Sequence, residues 1–123
     1  MKRAFLSFLL LFVSGASVAL DENIRNLPGK YSKSFNAYVE FTSIANNHAI
    51  FAVHTFFDLS NMCHIEGEAF LMESDRANFK NDDCTLIFDF AKDYSAVKIT
   101  SKYCKKTCDG KVSNLVNGLY ERQ

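Results

Sequence analysis

Tryptophan is absent from the 123 residues, proline occurs once, and the charges cancel, with 14 basic and 14 acidic residues. A single Pro, with no low-complexity stretch and no linker, argues against disorder and for one folded unit. The missing basic excess removes general nucleic-acid binding, which needs a strongly positive footprint. No apolar run reaches the ~20 residues of a membrane-spanning helix. Gly-x-Ser-x-Gly, His-Glu-x-x-His and a Gly-rich phosphate loop are all missing. The local signatures of serine hydrolases, zinc proteases and nucleotide-binding enzymes therefore give no lead.

What is present begins with a targeting pattern. Lys2-Arg3 is a basic start, Ala4 to Val13 is apolar except for Ser7, and small residues lead to Ser17-Val18-Ala19. This is the layout of a secretory signal peptide, residues 1–19, cleaved after Ala19. No Cys follows the apolar run, which speaks against lipid attachment there. Removing 19 of 123 residues leaves 104, one small domain. The removed part carries Lys2 and Arg3 and no acid, so 12 basic residues remain against 14 acidic, a net −2 with His neutral. Residues 20–28 read as a polar, mobile lead-in and 29–123 as a single β domain. The expected product is exported, to the periplasm or out of the cell.

The four cysteines, Cys63, Cys84, Cys104 and Cys108, all lie in the second half. An even count in an exported chain points to two disulfides rather than a metal site or a reactive thiol. No cofactor or metal is called for.

Period-two patterning dominates the rest. Lys30–Lys33 reads as a short first strand after the Pro28-Gly29 turn. Phe35, Ala37, Val39 and Phe41 share one face of the next. Asn46-Asn47 supplies a hairpin turn, because Asn tolerates positive φ. His48 to Phe57 reads as a strand covered on both faces. Cys63, Ile65, Gly67, Ala69 and Leu71 share an inner face, and the small Gly67 and Ala69 predict a bulky neighbour over them. Ala77–Lys80 is a short return strand. Cys84, Leu86, Phe88 and Phe90 form the next inner face, and Tyr94 to Lys102 a strand with Val97 and Ile99 inside. Gly-x-Tyr occurs at Gly29-Lys30-Tyr31 and again at Gly118-Leu119-Tyr120, so end strands could pair and close the sheet. The fold class is all-β: an antiparallel meander of about seven or eight strands, a closed barrel or tight sandwich.

Parity suggests the pairing. Cys63 and Cys84 both face inward, while Cys104 has the opposite parity to Val97 and Ile99. Cys63–Cys84 and Cys104–Cys108 are the expected bonds, provided that strand 77–80 stops short of the Cys63 level.

Candidate chemistry is sparse. Glu66 and Glu68 point the same way, about 7 Å apart, a spacing open to a pair of acid/base carboxylates. Alternating acids on a solvent face are the plainer reading. His48, His54 and His64 show no metal-ligand spacing and read as separate polar residues. Of 12 Phe, Phe5, Phe8 and Phe12 leave with the signal; the others fill a core or line a cavity. Lys105 and Lys106 sit in a basic loop, opposite in sign to the acidic middle of the chain, an asymmetry able to steer a partner.

Cys63-His64-Ile65-Glu66-Gly67-Glu68-Ala69, Cys84-Thr85-Leu86, Cys104-x3-Cys108 and Gly118-x-Tyr120 together resemble small bacterial periplasmic proteins, including some described as lysozyme-inhibitor-like. In that pattern Gly directly follows the last cysteine; here Asp109 intervenes before Gly110. The resemblance spans about half of the chain. It implies a disulfide-bonded β module and carries over no catalytic residue. The expected function is a non-enzymatic exported binding protein with a protein partner in the cell envelope or outside the cell, in one version an inhibitor of a cell-wall hydrolase such as lysozyme. Glu66, Glu68, Lys105 and Lys106 are the candidate contacts. The alternatives are a carrier of a small apolar ligand in a barrel interior, a secreted structural or interaction module, and an enzyme using Glu66/Glu68 or the histidines.

Overall fold

The computed structural model describes residues 22–58, 61–104 and 116–123. The expected signal peptide, residues 1–19, and Lys105, Lys106 and Cys108 lie outside the described residues. Eight strands follow in chain order: β1 Gly29–Ser34, β2 Ala37–Ala45, β3 His48–Asp58, β4 Asn61–Glu73, β5 Arg76–Lys80, β6 Thr85–Phe90, β7 Ala96–Lys102 and β8 Gly118–Arg122. Each pairs antiparallel with the next, and β8 returns to β1, so the sheet is a closed barrel. Within the segment expected as a mobile lead-in, Glu22–Asn26 forms a 3₁₀ turn and Leu27 is buried. No helix among the described residues is long and apolar enough to cross a membrane.

Local chemistry sets the turns. Asn46 and Asn47 both take positive φ, 53° and 62°, the conformation that lets a two-residue hairpin follow the sheet twist. Phe35 and Asn36 form the β1–β2 turn, so Phe35 does not join the inner face expected of it. It is 90% exposed, edge-on to Phe56. β3 is also not covered on both faces, since Ile50 on its outer side is 45% exposed.

The inner faces form one aromatic core. Phe41 sits at its centre, with ring centroids 5.3 Å from Phe88, 5.1 Å from Phe90 and 5.9 Å from Tyr31, all edge-to-face. Phe51 continues the chain to Phe88 and Phe79 at 5.0 and 5.1 Å. The bulky residue expected over Gly67 is Phe79: a Cβ on Gly67 would stand 2.6 Å from its ring. Outward positions instead mix charged Lys30, Glu40, Glu66, Glu68 and Lys98 with exposed Ile50, Met62, Phe70, Met72 and Leu119.

The seam between β1 and β8 is built from one motif used twice. Gly29-Lys30-Tyr31-Ser32-Lys33 and Gly118-Leu119-Tyr120-Glu121-Arg122 both read Gly-x-Tyr-x-basic. They run antiparallel, with Tyr31 opposite Arg122 and Ser32 opposite Glu121. Each Tyr hydroxyl donates to the carbonyl four residues upstream, Tyr31 to Leu27 at 2.7 Å and Tyr120 to Val116 at 2.8 Å. Each basic side chain lies on the other strand's motif. Arg122 stacks on Tyr31 and donates to its hydroxyl and to the Pro28 carbonyl, at 2.6 and 2.7 Å. Lys33 lies over Tyr120 and donates to the Asn117 carbonyl at 2.7 Å. Both glycines have positive φ, 151° and 139°. A Cβ on Gly29 would meet Arg122 at 2.8 Å, and one on Gly118 would meet Lys33 at 2.7 Å. Glycine is what lets the two cations lie flat across the seam.

The expected cysteine pairing is corrected. Cys84 is bonded to Cys104, 20 residues apart in sequence. Cys63 is also disulfide-bonded, and its partner is not Cys84. The strand alternation breaks at Tyr103. This residue takes φ 59° and is exposed, which resets the alternation and turns Cys104 inward. Thr85 pairs with Lys102, so Cys84 and Cys104 meet just past the end of that ladder. Cys63 and Cys84 share a face but not a level. Extending the β4–β5–β6 register puts Cys84 level with Gly67, about 13 Å along β4 from Cys63.

Three outcomes test this arrangement. Non-reducing peptide mapping returns Cys84 joined to Cys104, which leaves Cys63 for Cys108, and Cys84→Ser lowers stability by about 3 kcal/mol. Gly67→Ala costs about 1–3 kcal/mol by denaturant unfolding, and Phe79→Leu in the same chain recovers part of that, a coupling absent if the ring did not cover Gly67. Burial raises the Tyr31 phenol above its ordinary value, opposed by the Arg122 charge and hydrogen bond, and burial also raises Tyr120. The folded state thus holds both phenols neutral; this stability is complete below the ordinary tyrosine range and lost as pH rises through the elevated values. Arg122→Met pushes Tyr31 higher still in a phenolate absorbance titration and lowers stability at neutral pH by about 1–3 kcal/mol.

Candidate functional site

The outer face of β1 to β4 gathers the polar side chains. Because neighbours in register point the same way, the ladder makes two rows. One runs Ser32, Tyr38, His54, His64; the other runs Lys30, Glu40, Ala52, Glu66. Ile50 lies opposite Glu68, and His48 opposite Phe70. Along β4 the outward residues are Met62, His64, Glu66, Glu68, Phe70 and Met72. All are exposed, with the acids in the middle and apolar residues at both ends.

Small residues shape this surface. Ala52 and Gly67 leave a low point between Thr42, Ile50, Glu66 and Glu68, an open depression of about 540 Å³. The register of β2 slips between Phe41 and Ser43, which places Thr42 at its rim.

The first row is tied together by contacts. The Tyr38 ring stacks on His54, centroids 4.8 Å apart and 21° between planes, and Lys30 Nζ sits 4.2 Å from the Tyr38 ring centre. His54 and His64 face each other with their Nδ1 atoms 3.0 Å apart. His64 Nε2 is 3.0 Å from Glu66 Oε2. The carboxylate can only accept, so His64 carries a proton on Nε2, and in the neutral ring its Nδ1 is bare. The bond between the rings is then donated by His54 Nδ1–H. His54 titrates below the ordinary histidine value, chiefly because burial disfavours its charged form and secondly because of His64; Glu66 and Glu40 act in the opposite sense.

The histidines expected to stand apart are thus joined in one case, His54 with His64, while His48 lies beside Phe70 and bonds through Nδ1 to the Asn46 carbonyl at 2.9 Å. The signal for the pair was hairpin register. Counting back from the end at Asp58 and Asn61 brings the two opposite to within one residue, and the bulge after Phe56 supplies that residue. Glu66 and Glu68 stand outward as expected. Glu66 is engaged by His64 and its side chain is 70% exposed. The partner candidates Lys105 and Lys106 lie outside the described residues. No group of three or more His, Cys, Asp or Glu among the described residues is arranged to hold a metal.

No known protein family, characterised protein or solved structure matches the chain.

The row makes one measurable statement about charge. In an NMR pH titration the His54 ring turns over below 6.5, and His64→Gln moves its midpoint up by relieving repulsion between the two imidazoles.

Proposed function

We propose that the domain is an exported, non-enzymatic binding protein whose outer β2–β4 face docks a basic protein, in its most specific version a cell-wall hydrolase such as a C-type lysozyme. The observation that carries the reading is the acidic group Glu40, Glu66 and Glu68 around an open depression, flanked by exposed Ile50, Phe70 and Met72. Desolvated apolar anchors supply affinity, and surrounding charges of one sign select a partner of the other. C-type lysozymes are strongly basic, which matches these carboxylates in sign. The sequence resemblance to lysozyme-inhibitor-like periplasmic proteins points the same way.

The other readings have less support. The aromatic chain from Tyr31 through Phe41 and Phe51 to Phe79 occupies the interior with protein side chains, which weighs against a carrier of an apolar ligand. An acid/base role for Glu66 would need a dry pocket to hold one carboxyl protonated, and its side chain stands open to water.

Surface binding of oxidised mature protein to immobilised C-type lysozyme tests the proposal. Expected is saturable binding that weakens at least tenfold with the Glu66→Lys, Glu68→Lys pair, about 1.4 kcal/mol or more. It also weakens with added salt. Unchanged binding in that variant removes this face. Absence of binding to every lysozyme offered removes the hydrolase version.

A further inference from the structure

We propose that His54 and His64 form a two-histidine site for a divalent transition-metal ion of the copper, nickel and zinc class. The inference shares Glu66 with the docking reading but does not rest on it, since its ligands belong to the first row of the surface and it needs no protein partner.

Four observations carry it. The two residues are direct cross-strand partners on the longest hairpin of the barrel, so rigid backbone sets their separation. Their Nδ1 atoms are 3.0 Å apart. Two imidazoles on one ion, with metal–nitrogen bonds of 2.0–2.1 Å and an angle between tetrahedral and square, place their nitrogens about 2.8–3.4 Å apart. Glu66 accepts from the far nitrogen of His64, the carboxylate–histidine arrangement that fixes the tautomer and raises the basicity of a ligating ring. The stacked Tyr38 ring then holds the plane of His54.

The charges around the pair suit a cation. Glu66 and Glu40 both act on His54, against the single cation Lys30, which rests on the Tyr38 face. An ion would sit beside the nitrogen–nitrogen line, not on it. Modest rotation of the rings brings both lone pairs to one point, and the side-chain torsion involved is soft. The proton that His54 places on Nδ1 would pass to its own Nε2, so both rings stay neutral and no net proton is released. Water completes the coordination shell on the exposed side, where the His64 side chain is 45% exposed.

Titration of the oxidised mature protein with Cu²⁺ alone and with Zn²⁺ alone, followed by calorimetry and by histidine ring NMR, tests the site. Expected is one ion per chain, with the His54 and His64 ring signals moving and those of His48 still. Either His→Gln substitution weakens binding at least tenfold, and Glu66→Gln weakens it about tenfold while both ligands remain. These side chains point outward, so circular dichroism and Tm should match the parent and separate lost binding from lost fold. Wild-type affinity in the His54→Gln, His64→Gln double variant, a response centred on His48, or no binding at millimolar metal would each overturn the assignment.

Discussion

Two cations crossing the β1–β8 seam in opposite directions hold this barrel shut. An eight-stranded meander that fails to close leaves two strands with unpaired backbone, each a template for aggregation. Here each end strand brings a glycine, a buried tyrosine and a cation, and each cation needs the other strand's tyrosine and glycine. Arg122 gains the Tyr31 ring, the Tyr31 hydroxyl and the Pro28 carbonyl; Lys33 gains the Tyr120 ring and the Asn117 carbonyl. Each set of contacts therefore exists only when the two end strands pair. The tyrosine hydroxyls, bonded to Leu27 and Val116, also anchor the chain just before each end strand.

Closure in turn defines the two faces. With the sheet curled, inward positions meet across a short distance, and aromatic rings fill that space edge to face. Gly67 is the point where the packing demands an absent side chain, because Phe79 occupies its place. On the outer side, the depression beside Glu66 and Glu68 lies over Ala52, the small outward residue opposite Glu66. The Cys84–Cys104 bond fastens the end of the β6–β7 ladder and sets where the chain leaves the barrel.

Strand identities and faces were legible in the sequence because alternation directly encodes which side of a pleat is buried. Cys63 to Leu71 and Cys84 to Phe90 could be read residue by residue, and the twin Gly-x-Tyr announced the closing strands. What parity does not encode is level along the barrel, so Cys63 and Cys84 seemed matched although the register separates them. Nor does parity survive a left-handed residue: Tyr103 at φ 59° reversed the side on which Cys104 lies. Phe35 misled for a related reason, since it continues the alternation of β2 but lies in a turn. At the site, the outward direction of Glu66 and Glu68 was readable from the same alternation. The His54–His64 pair was not, because residues ten apart meet only when a hairpin end and its bulge are both known. The basic residue two places after each Tyr was visible but has no meaning until the strands are paired.

The seam also bears on the candidate face, since an open sheet would leave β1, at the edge of that face, paired with β2 alone. Native-state amide exchange of the oxidised β domain, residues 20–123, tests this most directly, strand by strand. If the reciprocal contacts close the barrel, amides of β1 and β8 exchange with opening free energies close to those of β3 and β4. Exchange of β1 and β8 near the unprotected rate, while β3 and β4 remain protected, would show an open sheet and contradict the account.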